Sequence, residues 1–200
     1  MAILEVLTFP NPILRRKSMP IEKVTDEHKK LASDMLETMY DHHGIGLAAP
    51  QVGQLERLIV IDIRPRENGR YDLDSLTELE KKVPQPIVLL NPEILQKDGI
   101  TTYQEGCLSV PSYFEEVKRA EHIVVRYLNL EGLTEELEID GLLAICIQHE
   151  IDHLDGKLFF DRLSTIKSNR IKNKIKKFGY PEKDGDKKED ESSEKEEVLI

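Results

Sequence analysis

The 200-residue sequence lacks the features of several protein classes. It has only two cysteines, too few for a disulfide scaffold. No apolar run approaches the ~20 residues that a membrane-spanning helix needs. The opening MAILEVLTFP has no basic segment followed by a long apolar stretch, and it is not rich in Arg or Ser. We therefore expect a cytoplasmic protein without a signal or transit peptide and without a membrane partner.

The composition is that of a globular domain with extra charge. Apolar residues make up 39% and charged residues 33% of the chain, which is long enough to bury a core. The net charge of −10 is uneven: residues 162–178 carry seven Lys or Arg and no acid, whereas 181–200 carry nine acids and four lysines. We expect a catalytic domain over 1–163, a basic helix over 164–180 and an acidic, disordered tail over 181–200. No DNA partner is expected.

Hydrophobic patterns favour an α+β fold with mainly antiparallel sheets around one strongly apolar helix. Leu31, Met35 and Met39 recur at helical spacing after Thr25, a candidate N-cap. The long polar segment 64–85 is expected to be a surface loop. The other predicted elements are strands at 57–63, 86–95 (ended by Asn91-Pro92) and before 105–111, a hairpin of 122–130 with 133–139, a helix at 142–154 capped by Asp140, and a last helix at 164–178.

The most informative motif is His149-Glu150-Ile151-Asp152-His153. Two histidines four residues apart lie on one face of a helix, so their rings can bind one ion, and the intervening glutamate can reach a water on that ion. The alternative is an amphipathic helix with two solvated histidines. The apolar stretch LLAICI before the motif argues against it, because buried histidines need partners. The motif therefore indicates a metal-assisted hydrolase.

A catalytic ion needs a third protein ligand and an open position. A carboxylate, another histidine or Cys107 could supply this ligand. We favour Cys107, which follows a glycine in a short segment ended by Pro111 where the backbone can bend sharply. A thiolate is a soft ligand that suits Fe(II), Zn(II) or Co(II) better than Mg(II) or Ca(II). The other cysteine, Cys146, lies within the apolar run and is read as a small buried hydrophobe.

Three segments, in this order, resemble the three motifs of peptide deformylases. They are GIGLAAPQVG at 44–53, EGCLSVP at 105–111 and QHEIDHLDG at 148–156. The resemblance extends over roughly residues 1–165. It implies a compact peptide-deformylase-like fold with the metal helix in the middle. It also implies removal of the N-formyl group, as formate, from newly synthesised proteins that begin with formyl-methionine.

The resemblance also implies roles for individual residues. Cys107, His149 and His153 would bind the ion, natively Fe(II), with Zn(II), Ni(II) or Co(II) possible in isolated protein. Glu150 would act as the general base and then the acid, while Gln51 and the Leu108 N–H would donate to the formyl oxygen. Glu105 and Arg119 would form a structural ion pair. The residues implied in substrate binding are Ile45, Gly46 and Gly106 along the peptide backbone and Leu142, Ile145 and Cys146, with Ile45, around the methionine side chain.

Two features depart from the family pattern: segment 64–85 is longer than in the shortest members, and Phe114 stands where an arginine near the substrate is common. Two other functions share some of these features. A zincin-like endopeptidase shares the HExxH motif, but the sequence has no downstream ligand at a familiar spacing. A non-catalytic binding protein would not be expected to keep Cys107, Glu150 and Gln51.

The basic helix predicted over 164–178 carries Ile171, Ile175 and Phe178 on one face, with Lys and Arg around them. Such a helix can bind phosphate or an acidic surface, or it can be the solvated face of a packed helix. The family resemblance favours docking to the ribosome, where nascent chains emerge.

Overall fold

The computed structural model describes residues 2–64 and 76–180. Its helices are α1 (Asp26–Asp41), α2 (Gly141–Leu154) and α3 (Thr165–Phe178), with single 3-10 turns at Pro12–Arg15, Ala49–Val52, Glu80–Lys82 and Phe159–Arg162. The strands are β1 (Gly46–Ala48), β2 (Leu58–Ile61), β3 (Ile87–Asp98), β4 (Thr101–Glu105), β5 (Glu115–Arg119), β6 (His122–Leu128) and β7 (Thr134–Asp140). No helix in these two ranges is long and apolar enough to cross a membrane.

The strands form two antiparallel sheets. One has five strands in the order β1-β2-β3-β6-β7, and the other is the hairpin of β4 and β5. The predicted α+β class with mainly antiparallel sheets is confirmed. β1 is the edge strand of the larger sheet and pairs with β2 through Gly46 and Ile61. This places the backbone of β1 at a sheet border, beside α2.

Helix α2 forms the centre of the molecule. Every residue from Leu143 to Leu154 is buried, because apolar side chains surround the helix axis rather than forming one stripe. Its Leu143, Ala144 and Ile147 pack into a cluster with the inner face of the larger sheet. α3 packs elsewhere: Ile171 and Ile175 are buried in a second cluster with Cys107 and Phe160, whereas Phe178 is 71% exposed.

Three details of the predicted secondary structure were wrong. β3 does not end at Asn91-Pro92 but continues to Asp98 through a bulge, because Asn91 tolerates a φ of 50° and bonds Ile21 with its amide. The hairpin loop between β6 and β7 spans residues 129–133 rather than two residues, and the side chain of Asn129 accepts bonds from Glu131 and Leu133. The short strands β1 and β5 were not predicted.

The start of α2 also differs from the prediction. Asp140 stands at the N-cap position, as predicted, but its side chain accepts no capping bond from the helix. The bond comes from Glu80, whose carboxylate accepts the N–H of Leu143 at 2.9 Å. Glu80 belongs to the segment 64–85 that was expected to be a surface loop, of which residues 65–75 lie outside the described part. The predicted acidic tail also lies outside it.

Candidate active site

Three potential metal ligands converge where α2 meets the loop after β4. One ligand atom from each of Cys107, His149 and His153 lies within 4.8 Å of the other two. Sγ of Cys107 is 3.3 Å and Nε2 of His149 is 3.2 Å from Nε2 of His153. All three side chains are buried. The four-residue spacing of the histidines on one helix and the bend after Glu105 therefore create one compact group of soft donor atoms.

These residues fit a transition-metal ion. Burial, and then the charge of Glu150, raise the pKa of the Cys107 thiol, so the thiolate needs a nearby cation to form. Nδ1 of His149 donates to Oε2 of Glu105 at 2.8 Å, which leaves Nε2 free to coordinate. A thiolate with two imidazoles is a donor set suited to Fe(II) or Zn(II), with a fourth position left for water. The site thus has the chemistry of a catalytic metal centre.

A buried ionic network supports the histidines from behind. Arg119 donates to both oxygens of Glu105, at 2.7 and 2.8 Å, and also to the carboxylate of Asp152. Burial alone would raise the pKa of Glu105, but the hydrogen bonds from Arg119 and His149 outweigh it and hold the pKa at about 2. Glu105 therefore remains a carboxylate that fixes the ring of His149. The structure contains the ion pair of Glu105 with Arg119 that the family resemblance implied.

Gln51 is also buried and faces the same group. Its Oε1 accepts the N–H of Ala48 at 2.7 Å, and this fixes which end of the amide points to the site. Nε2 then donates to Ser109 Oγ at 3.3 Å and approaches Cys107 Sγ at 3.7 Å. Leu108 is buried next to Cys107 in the following turn. The structure thus brings a side-chain amide of the first motif to the cysteine of the second motif.

Glu150 of α2 is fully buried, and its carboxylate lies against Gly46 of β1. Neither carboxylate oxygen has a hydrogen-bond partner within the described residues. Burial raises the pKa of Glu150 well above its usual range, with Arg119 opposing and Glu105 reinforcing the effect. Gly46 lies against this carboxylate: a Cβ there would overlap the Glu150 oxygen and stand 2.7 Å from Cys146 Sγ. Glycine at 46 is therefore required for the close approach of β1 to α2.

The remaining predicted residues surround this centre. Ile45, Ile145 and Cys146 are buried in the cluster of the larger sheet, and Leu142 packs against it while partly exposed. Gly106 lies between Glu105 and Cys107 and is buried. Phe114, at the position that departs from the family pattern, lines a separate small cavity with Arg170 and Lys174 of α3.

Sequence reasoning missed three residues around the site. Ser109 accepts from Gln51, Asp152 accepts from Arg119 and Arg162, and Glu80 caps α2. Asp152 could have been found, because a third acid inside the buried helix of the metal motif needs a cationic partner. No local signal marks Glu80, which lies more than 60 residues before the helix that it caps.

The fold together with this geometry defines a metal-dependent hydrolase. More particularly, the chain belongs to the polypeptide deformylase family, whose model matches residues 3–169. A curated peptide deformylase of Alkalilimnicola ehrlichii is 50% identical over 177 residues, which cover 88% of this chain and 91% of the relative.

Solved structures agree with this assignment. The peptide deformylase of Legionella pneumophila has a TM-score of 0.74 and 42% identity, covering 88% of this chain and 95% of its own. That of Ehrlichia chaffeensis in complex with actinonin has a TM-score of 0.76 and 38% identity, covering 89% and 99%. The chain is accordingly an enzyme that removes the N-formyl group from formyl-methionine at the N-terminus of new proteins.

Proposed function

We propose that Cys107, His149 and His153 hold one Fe(II) ion in the working enzyme, and that Glu150 is the acid and base of the reaction. The observation that carries this proposal is the convergence of the three ligand atoms beside a buried carboxylate that has no hydrogen-bond partner among the described residues. Zn(II), Ni(II) or Co(II) can replace iron in isolated protein, since the same soft donors accept them.

The metal assignment has a direct test. Protein purified without oxygen is analysed for metal and assayed for formate release, and it is then reloaded with Fe(II), Zn(II) or Ni(II). A reachable thiolate beside Fe(II) is open to stepwise oxidation. The Fe(II) form should therefore lose activity in air and peroxide faster than the Ni(II) form. An Fe(II) form that keeps full activity under oxygen would contradict the assignment.

The reaction can be described through this chain's own residues. When bound, the ion lowers the pKa of water towards neutrality and polarises the formyl carbonyl. Glu150 accepts a proton from the attacking water and later returns it to the leaving amine, which frees formate and an α-amine. The amide Nε2 of Gln51 and the N–H of Leu108 donate to the formyl oxygen as negative charge develops on it.

Glu150→Gln separates the acid–base role from metal binding. This change keeps the size and burial of the side chain but cannot accept the proton, so one metal per chain should remain while most activity disappears. Near-normal turnover of the variant would overturn the role of Glu150. A loss of metal together with activity would show instead that the carboxylate supports the ion.

The proposed substrate position follows from the edge strand. The backbone of Ile45 and Gly46 lies at the border of the sheet and can pair with an extended peptide, and the family resemblance adds Gly106 to this contact. The cluster that contains Ile45, Ile145 and Cys146 would receive the methionine side chain, with Leu142 at its border. Substrate length beyond methionine should then affect KM more than kcat.

An endopeptidase is the alternative that the HExxH motif leaves open. Formyl-Met-Ala-Ser and an internally quenched peptide without a formyl group distinguish the two activities. Formate release from the first without cleavage of the second is expected. Cleavage of the quenched peptide at a comparable rate would favour the endopeptidase.

We also propose that the enzyme works in the cytoplasm and docks on the ribosome through α3. Several cations of α3 are exposed, among them Lys174, Lys176 and Lys177, while its apolar residues Ile171 and Ile175 are used in packing. The proposal includes the division of the chain into a catalytic domain over 1–163, a basic helix over 164–180 and an acidic tail over 181–200.

Cosedimentation with ribosomes tests the docking. It should decrease when Lys174, Lys176 and Lys177 are changed to Gln, most strongly at low salt. Unchanged binding would exclude docking through α3.

A further inference from the structure

A cavity of about 540 Å³ opens beside α2 on a different face from the metal group. Gln148, Ile151, Asp152 and Asp155 of the helix region line it. Residues adjacent in sequence on a helix are separated by about 100° around the axis, so this face is turned away from His149 and His153. A molecule in the cavity would therefore leave the metal centre and the edge of β1 accessible.

Four cations from four different segments line this cavity. They are Arg57 before β2, Lys97 near the end of β3, Lys157 after α2 and Arg162 in the 3-10 turn that follows. Arg57 is bound to Asp155 at 2.9 Å, and Arg162 donates to Asp152. Lys97 and Lys157 are exposed, and their side chains make no hydrogen bond or ion pair with any described residue. Two lysines thus line one cavity without a side-chain partner among residues 2–64 and 76–180.

The carboxylates of the cavity do not neutralise these lysines. Asp155 is taken by Arg57, and Asp152 is shared between Arg119 and Arg162. Glu93 is exposed and forms no ion pair within the described ranges. The lining therefore has four cations against three carboxylates, on a chain whose net charge is −10. The lining thus carries an excess of one positive charge.

Lys97 lies close to other cations of the cavity. Although Lys97 is exposed, partial desolvation and then repulsion from Arg162 lower its pKa, and the attraction of Asp152 does not compensate. A bound anion would relieve this repulsion. The guanidinium of Arg162 has five N–H donors, and Asp152 engages its Nε and Nη2, so Arg162 can also contribute a donor to a ligand.

We propose that this cavity binds a phosphate group, either as free phosphate or as the monoester of a small molecule. A tetrahedral dianion accepts bonds from several directions and matches cations that approach from separate segments better than a planar carboxylate does. The volume exceeds that of phosphate alone and leaves room for a small attached group. Lys97 and Lys157 are the principal partners, and Arg162 is the third.

The test uses the zinc-loaded full-length protein and inorganic phosphate at constant ionic strength. Backbone amide NMR shifts locate the binding, and the zinc content is measured at the end. Saturable shifts are expected around Lys97, Lys157 and Arg162, and none around Cys107. Shifts confined to the Cys107 loop would place phosphate on the metal and overturn the proposal, as would equal shifts produced by chloride.

Matched variants complete the test. The double change Lys97→Gln and Lys157→Gln should weaken phosphate binding about tenfold or more, because two charge-assisted bonds are lost. The control removes the same charge through Lys29→Gln and Lys118→Gln, two exposed lysines outside the cavity. Retained formate release verifies the folding of both proteins.

The outcomes separate the possible sources of the phosphate. Tighter binding of AMP than of inorganic phosphate identifies a monoester as the ligand, and equal or weaker binding identifies free phosphate. If both double variants lose affinity equally, only the overall charge matters and the cavity is not a site. Wild-type affinity in the cavity variant also overturns the proposal.

Discussion

Oε1 of Glu80 accepts a hydrogen bond from the backbone N–H of Leu143 at 2.9 Å, although the two residues are 63 positions apart. The other oxygen of Glu80 accepts the N–H of Thr77 at 2.8 Å. Gly141 has a φ of 64°, and a Cβ at this position would overlap the Glu80 carboxylate. The first turn of the metal-bearing helix is therefore held by a buried acid from the segment before β3.

Replacement of Glu80 should weaken the protein through this helix terminus. We expect Glu80→Ala to lower the free energy of unfolding by about 1–2 kcal/mol, because a helix cap and its negative charge at the N-terminus are lost. Glu80→Gln keeps an oxygen acceptor and should lose less. Urea unfolding of both variants at the same metal loading measures the difference. Equal stability of Glu80→Ala and the parent would contradict the capping role.

Local patterns explain which parts of the site were predictable. The spacing of His149 and His153 is a property of one helix, so the sequence alone indicates that they share an ion. Cys107 could be favoured from its setting, but its pairing with these histidines depends on the topology that brings the loop after β4 to α2. The family resemblance supplied this long-range information for Cys107 and also for Gln51.

The parts that were not predicted depend on contacts between distant segments. β5 contains one apolar residue, Val117, between charged ones, so its pattern does not indicate a strand until β4 pairs with it. Asn91-Pro92 is a common strand terminator, but here a bulge accommodates both residues within β3. Glu80 looks like one more charge in a polar loop, and only the fold shows that it is buried.

The ligand group of Cys107, His149 and His153 predicts that the two cysteines differ in their effect on metal binding. Cys107→Ala should lose most of the bound metal, because two imidazoles alone hold a cation far more weakly than they do with a thiolate. Cys146→Ala should retain about one metal per chain, since its Sγ approaches the carbonyl of Ile45 at 3.8 Å and is not in the ligand group. Metal analysis after gel filtration measures both. Equal metal loss in the two variants would contradict the assignment.

Gln51→Ala should affect the chemical step rather than metal binding. Loss of one donor to a developing oxyanion typically costs ~10²–10³ in kcat. Ser109→Ala is the matched control, because it removes the hydroxyl that accepts from Gln51 but leaves the amide in place. Its kcat should decrease less than tenfold, which corresponds to less than about 1.4 kcal/mol in the activation free energy. If the two variants were equally impaired, Gln51 would act mainly by supporting the loop.

The last prediction concerns acid stability and Asp161. Burial alone would raise the pKa of Asp161, but bonds from Arg15 and from the Leu158 N–H outweigh it, so the pKa lies below its usual range. The folded protein therefore favours the carboxylate. Its stabilising contribution is complete above the unfolded pKa of about 3.9 and is lost as the pH falls through the lower folded value.

Asp161→Asn should thus destabilise the protein by about 1 kcal/mol at pH 7, and the difference from the parent should shrink below pH ~4. Asp98→Asn, at an exposed position at the end of β3, is the control and should change stability little at any pH. Because metal is released from both proteins in acid, the comparison uses the difference between variant and parent at each pH. A difference that stays constant down to pH ~2.5 would mean that the ionised carboxylate of Asp161 contributes nothing, and that the effect at pH 7 comes from packing alone.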